Sequence, residues 1–447
     1  MNKCIYSLIW NRSLGQIVVA SELAVSKSSG NPTSSTASLR RNLLALALLS
    51  AMAVIVPRAF AGDTSCGGSG QVAAGANAVS CGVDSNAYGY ASVAVGAFAY
   101  ALGDTSTAVG RHAYTGNTDA VALGSYATAK FIDGTAIGSA SYTGIDGTAL
   151  GFRSDAVGLE SSALGFHSSS TGNFSAAIGS YASAKGNSSV ALGVGAYAGN
   201  NGTTALGYHA RVTNNYSAAV GSGAQALGRY SAALGDSSDA VAQSATALGS
   251  HAYAQTESTV VGQAAISKGS GSTALGFQAY IASGAHSAIA IGYRSSAGTS
   301  SVGTQAFALG SNAVASANNS TAIGGAIDLN GDGTIEANEK TTASQGESIA
   351  IGSASQATQT NTSVLGAESV ASAAGATAVG SRSDATGTAA VTLGYGAQAS
   401  ASGSVAIGWN SIANQPYTVS VGWAGNYRRI VNVADPTQAN DAVNLEY

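Results

Sequence analysis

A glycine preceded by an aliphatic residue returns every fourteen residues along most of this 447-residue chain, and no other feature restricts the fold so tightly. Gly82, Gly96, Gly110, Gly124 and Gly138 are each fourteen apart; one thirteen-residue step leads to Gly151, and fourteens resume through Gly165, Gly179, Gly193, Gly207, Gly221, Gly235 and Gly249. Gly262 and Gly276 follow, then looser steps at Gly292, Gly310 and Gly324, then a strict run Gly352, Gly366, Gly380, Gly394, Gly408 and Gly422. A period held over about 340 residues means one unit stacked many times. Fourteen residues are too few for a pair of helices, so each unit is one coil of a solenoid.

The coil from Gly96 to Gly110 stands for the rest. Ala99 and Ala101 lie three and five after the marker glycine, Ser106 and Ala108 ten and twelve after it, and Val109 precedes the next marker. Small residues two apart mark strands with one face inward, so each coil holds two short strands and two turns. The second turn falls seven after the marker, where Gly103, Gly172, Gly186, Gly228, Gly269 and Gly387 stand, or Asn117, Asn200 and Asn214. Both residue types tolerate positive φ, which predicts a tight left-handed corner at that place.

Fourteen residues enclose a narrow tube that only Ala or Ser fits. The aliphatic residue before each marker is a neighbour of an inward Ala and therefore points outward. Val95, Val109, Leu123, Ile137, Leu150, Val157, Leu164, Ile178, Leu192, Leu206, Val220 and Leu234 then form one apolar ladder. Such a ladder is untenable on an isolated soluble chain, which predicts burial against other copies around a symmetry axis, a homo-oligomer. The reverse assignment, with the aliphatics filling the tube, stays open at this point. Roughly two dozen coils at about 4.8 Å make a rod on the order of 110 Å long.

Only 9% of residues are charged and 7% aromatic, with 59 Gly and 4 Pro, so a core of large side chains is not available. A net charge of −4 without a basic stripe argues against nucleic acid as a partner. Disordered linkers share the Gly/Ser/Ala richness but do not hold a strict period with aliphatic residues.

Residues 1–61 are expected to be a targeting segment without structure. Arg40 and Arg41 precede the apolar run Leu43 to Val56, and Ala59-Phe60-Ala61 is a small-residue cleavage site, so the mature chain starts at Gly62. The 39 residues before Arg40 are far longer than an ordinary signal n-region. Export leaves Cys66 and Cys81, fifteen apart, at the start of the solenoid. In an oxidising compartment they are expected to pair and close an N-terminal cap over 62–81.

Between Gly324 and Gly352 the step doubles, and an insertion at 326–340 holds Asp328, Asn330, Asp332, Thr334, Glu336 and Glu339. Oxygen ligands at positions one, three, five, seven, nine and twelve, with Gly333 at six and Ile335 at eight, match the calcium loop of an EF-hand. The ligand set would be the Asp328 and Asp332 carboxylates, the Asn330 amide, the Thr334 carbonyl, Glu336 and a bidentate Glu339. Neither flank reads as a helix, so the expectation is a structural Ca²⁺ loop set into the solenoid rather than an EF-hand.

His112, His167, His209 and His251 fall two after a marker, a register that Phe98, Tyr126, Tyr181, Arg153, Gln278 and Arg294 share. Mixed chemistry at one register marks an outer surface, and these histidines are too far apart to ligate a metal together. No nucleophile elbow or phosphate loop is present in its required context. A β-solenoid enzyme acting on polysaccharide would need clustered carboxylates on one face. An ice-binding solenoid would need a flat Thr array, and the threonines look scattered.

Taken together, the repeat Ser-x-Ala-aliphatic-Gly followed by Ala-x-Ala resembles the head of YadA-type trimeric autotransporter adhesins. The long N-terminal segment resembles the extended signal peptide of type V secreted proteins, and Gly425 to Leu445, with Arg428, Arg429, Asn432, Asp435, Asp441 and Asn444, resembles the neck below such heads. The resemblance implies an all-β, left-handed parallel β-roll of fourteen-residue coils, homotrimeric, with head repeats over 82–424 and a neck over 425–447. It implies attachment at the bacterial surface, without catalysis, to host cells, extracellular matrix or neighbouring bacteria, many weak contacts adding up. The family continues into a coiled-coil stalk and an outer-membrane anchor; this sequence stops at Tyr447, inside the neck, and on this reading cannot anchor itself.

Overall fold

The computed structural model describes residues 6–11, 16–21, 64–66, 69–298 and 305–444. The apolar run and cleavage site of the N-terminal segment lie outside them. The chain divides into two units, 1–61 and 62–447. In the first, Tyr6–Asn11 pairs antiparallel with Gln16–Ser21 as a two-stranded sheet where no structure was expected. Its strands are rich in aromatic and β-branched residues, which suit a pleated surface.

The second unit is a parallel β-solenoid of about two dozen coils. Each coil contributes a two-residue strand, such as Tyr100–Ala101, and a three-residue strand, such as Thr107–Val109. Every strand pairs in parallel with its counterparts one coil away: Tyr100 with Tyr114, and Thr107, Ala108 and Val109 with Val121, Ala122 and Leu123. Two parallel sheets result, joined by two turns per coil.

Alanine fills the tube. Ala94, Ala99, Ala101 and Ala108 have no exposed surface, and the same registers are buried in the following coils. The faces are therefore not reversed. Most serines in the tube satisfy their hydroxyls on turn carbonyls, Ser383 excepted: Ser92 donates to Gly89 at 2.7 Å, Ser106 to Gly103 at 2.6 Å and Ser168 to Gly165 at 3.0 Å. Larger inward residues are few. Ile281, fully buried, sits in the coil enlarged to sixteen residues between Gly276 and Gly292.

The left-handed residues are not where the sequence suggested. Gly103 lacks a positive φ; the left-handed places lie at plus two and plus nine, as at Phe98 (φ 56°), Thr105 (φ 55°), His112 (φ 56°) and Asp119 (φ 56°). Glycine at plus seven answers to crowding instead. A Cβ on Gly103 would lie 1.9 Å from the backbone of Asn117 in the next coil. At Asn200 and Asn214 the side-chain amide reaches the next coil, Asn214 Nδ2 donating to the Leu227 carbonyl at 2.8 Å.

The marker glycines meet both constraints. Gly207 has φ +139°, and a Cβ there would lie 2.2 Å from the carbonyl oxygen of Gly221. Gly207→Ala is expected to cost on the order of 1–3 kcal/mol of local stability through backbone strain alone. Gly325→Ala, at a glycine with open space around it, is the control. Amide exchange across residues 193–221 should accelerate in the first variant and not in the second.

Candidate binding surfaces and the inserted loop

The outer face of the three-residue strands is apolar along its length. In each strand the middle residue points into the tube and the third points out, so Leu150 stacks on Leu164, Leu164 on Ile178 and Leu192 on Leu206. The column runs unbroken past every irregular step: Ile137 on Leu150, Leu248 on Val261, Leu275 on Ile291, Ile291 on Leu309 and Ile323 on Ile351. On the single chain Leu150 is 41% exposed, Leu365 52% and Leu393 50%. Val157 does not belong to it. It follows the two-residue strand Asp155–Ala156, on the other sheet, because Gly158 is a plus-seven glycine rather than a marker.

The same face corrects the view of the threonines as scattered. Thr107, Thr135, Thr148, Thr204, Thr246, Thr259, Thr273, Thr321 and Thr377 all begin three-residue strands and share one outward register. Val121, Val190, Ile289 and Phe307 interrupt them, and the partner column is aliphatic, so no lattice of hydroxyls forms.

At the first turn, rings from successive coils stack. Phe98, His112 and Tyr126 form a run with centroids 4.8 Å apart at each step, and His167 stacks on Tyr181 at 5.3 Å. Guanidinium groups lie over several of these rings, Arg111 over Tyr126 and Arg153 over Phe152. His112 and His167 thus stack on Phe and Tyr rings rather than on other histidines. The signal for this column, aromatic residues at 98, 112 and 126, was present in the sequence as one register of the period.

Acidic groups gather at the second turn, where Asp119, Asp133, Asp146 and Glu160 take the left-handed place in consecutive coils. Asp155, Asp239 and Asp384 occupy the outward place of separate two-residue strands, and partial burial raises each carboxyl above its ordinary range, partly opposed by His167 at the first and by the Gln225 hydrogen bond and then His251 at the second. At least six coils separate these three along the rod.

The insertion departs from the turn after Gly324 and returns at Thr341. Glu339 is buried, 1% exposed; one of its carboxylate oxygens accepts the N–H of Leu329 at 2.8 Å and of Asn330 at 3.4 Å, the other that of Glu336 at 2.9 Å. Asp328 accepts the N–H groups of Gly331 at 2.6 Å and Gly333 at 2.9 Å. Asn330 accepts from the Asp332 N–H, and Asp332 accepts from the Thr334 N–H and hydroxyl and the Asn330 amide, which hold its carboxyl below the usual range. Gly331 and Gly333 take positive φ, 74° and 81°, as the sharp turn requires. Asp328, Asn330, Asp332, Thr334 and Glu339 are thus gathered into one loop, with Glu336 entering through its backbone. Among the described residues no three His, Cys, Asp or Glu side chains are close enough to share a metal.

Cys66 and Cys81 are joined by a disulfide with Cα atoms 4.8 Å apart. Cys81 pairs in register with Val95, so the bond sits at the head of the aliphatic column.

This geometry defines a class: a rod-like β-solenoid whose chemistry is spread along faces. Residues 1–52 match the family described as the extended signal peptide of the type V secretion system. The YadA head domain repeat matches in successive stretches between 73 and 279, at 301–326 and between 343 and 423. The chain therefore belongs to the YadA-like trimeric autotransporter adhesins: it is exported, and its function is adhesion. Among solved structures, the collagen-binding domain of the Yersinia adhesin YadA is similar at 18% identity, covering 62% of this chain and 82% of that one. Its TM-score is 0.12, a value that carries no argument, and the assignment stands on the repeats and the signal segment. No curated protein matches the chain.

The disulfide closes a fifteen-residue span, for which chain entropy gives roughly 3 kcal/mol. Replacing both cysteines by Ser is expected to lose up to about that much protection from amide exchange in the first two coils. Coils beyond Gly193 should be unchanged, because each coil contacts its neighbours alone.

Proposed function

We propose that the mature chain works as a homotrimer, a multivalent rod binding extracellular matrix, host-cell receptors or neighbouring bacteria. The observation that carries this is the unbroken aliphatic column. Covering the exposed part of each rung contributes on the order of 1 kcal/mol, repeated over about two dozen coils. Three chains packed on this face would leave the turn columns and the outer sheet free, each presented three times. A fibrous matrix protein with many equivalent sites suits a repeating rod. On this reading the outer membrane is reached through an anchor of the family type beyond the neck.

The insertion is proposed to hold a structural Ca²⁺. Supporting this are its twelve-position ligand pattern, its two glycine turns and the buried Glu339 carboxylate. The ion pair of the described residues joins Arg382 to Glu368, so Glu339 has no cationic partner in the loop. Asp328, Asn330, Asp332, Thr334, Glu336 and Glu339 would hold the ion, which would draw the carboxylates closer together than they stand here; its contribution would be to neutralise their charge and fix the loop.

Rods at equal concentration should adhere to immobilised matrix protein as trimers, and binding should fall at least tenfold for a form held as single chains. Equal binding by single chains would remove avidity from the account. For the loop, Ca²⁺ should slow amide exchange over 326–340 and leave Glu339→Gln unaffected; identical exchange with Ca²⁺ and with chelator would discard the metal.

A further inference from the structure

Four consecutive coils carry asparagine at one register, eight after the marker: Asn173, Asn187, Asn201 and Asn215. Each is followed two residues later by a hydroxyl residue, Ser175, Ser189, Thr203 and Ser217, so each heads an Asn-x-Ser/Thr triplet, the acceptor pattern for N-linked sugar. Asn318, Asn319 and Asn361 also head such triplets but stand outside this run.

The side-chain oxygens form a ladder. Asn173 accepts the backbone N–H of Leu159 at 3.1 Å, Asn187 that of Asn173 at 3.1 Å, Asn201 that of Asn187 at 3.0 Å and Asn215 that of Asn201 at 3.2 Å. Oxygen thus faces the rod and fixes the rotamer, which turns the amide nitrogen to solvent. Asn173, Asn187 and Asn201 are exposed and Asn215 half-buried. The ladder has no need of that nitrogen, since Asp104 performs the same acceptance from the Tyr90 N–H at 2.8 Å.

We propose that Asn173, Asn187, Asn201 and Asn215 are acceptors for N-linked glycosylation, modified before the coils close. The timing follows from burial. Ser175, Ser189, Thr203 and Ser217 are at most 3% exposed, their hydroxyls turned into the tube and bonded to the carbonyls of Gly172, Gly186, Asn200 and Gly228. An enzyme that reads the hydroxyl cannot reach it in the folded rod. Transfer forms the bond from Nδ2 to the anomeric carbon and breaks that carbon's bond to the phosphate of a nucleotide- or lipid-linked sugar. The amide proton passes to a base on the transferase, and the phosphate leaves with the bonding pair. Folding then sets the sugars in a row along one turn column, about 4.8 Å per coil.

Peptide mass spectrometry of the chain isolated from its own cells tests this. Sugar mass on peptides bearing these asparagines is expected. Bare asparagine at all four would overturn the proposal and leave the column a hydrogen-bond ladder. Ser175→Ala separates enzymatic recognition from adventitious sugar: alanine fills the same place at Ala120 and Ala245, fully buried, so the coil keeps its fold. Sugar should disappear from Asn173 and persist at Asn187, Asn201 and Asn215. Unchanged sugar at Asn173 in that variant would overturn the assignment.

Discussion

The width of the tube governs the rest of this molecule. Fourteen residues with two turns leave room inside mostly for alanine, serine and threonine, with Val212, Val260 and Val364 as occasional larger occupants, so most of the larger apolar side chains point out. A globular domain hides leucine, isoleucine and valine in its centre; here Leu150, Leu164, Leu192 and Leu206 stand on an outer face while Ala149, Ala163, Ala191 and Ala205 occupy the centre. The small core also brings neighbouring backbones so close that the marker glycines from Gly82 to Gly394 each lie against the next one's carbonyl. Close stacking and an outward apolar column are two consequences of one dimension.

Most of this architecture was legible because the period is strict. The inward alanines, the two strands per coil and the outward aliphatics follow from spacing and residue size. Spacing did not reveal which dihedral each turn residue adopts. Glycine at plus seven was taken as a left-handed corner, yet the positive φ belongs to Thr105 and Asp119 two residues on, where stacking of turn on turn overrides the usual preference of side-chain-bearing residues. Val157 was misplaced because Gly158 mimics a marker glycine half a coil out of phase. The loop around Glu339 was legible in composition, while its burial and its bonds to three N–H groups needed the fold.

Adhesion by such a rod needs no deep pocket. The first-turn column offers stacked rings capped by guanidinium groups, the second turn offers amides and carboxylates, and the outer sheet offers Tyr100, Tyr114, Tyr142, Tyr197, Tyr253 and Tyr280. These are repeated, shallow and chemically mixed, suited to many weak contacts rather than one strong one. Changing a coil on such a scaffold alters one patch of surface and disturbs its neighbours alone. The thirteen-, sixteen- and twenty-eight-residue steps show the same tolerance, since the aliphatic column passes each without a gap.

The central claim is that this column is a seam between copies of the chain. Sedimentation equilibrium on the mature protein, beside a variant carrying Leu192→Asp and Leu206→Asp, tests it most directly. The account predicts three chains per particle for the native protein and dissociation toward single chains in the variant. A native chain that is folded by circular dichroism and sediments as a single copy at high concentration would contradict it.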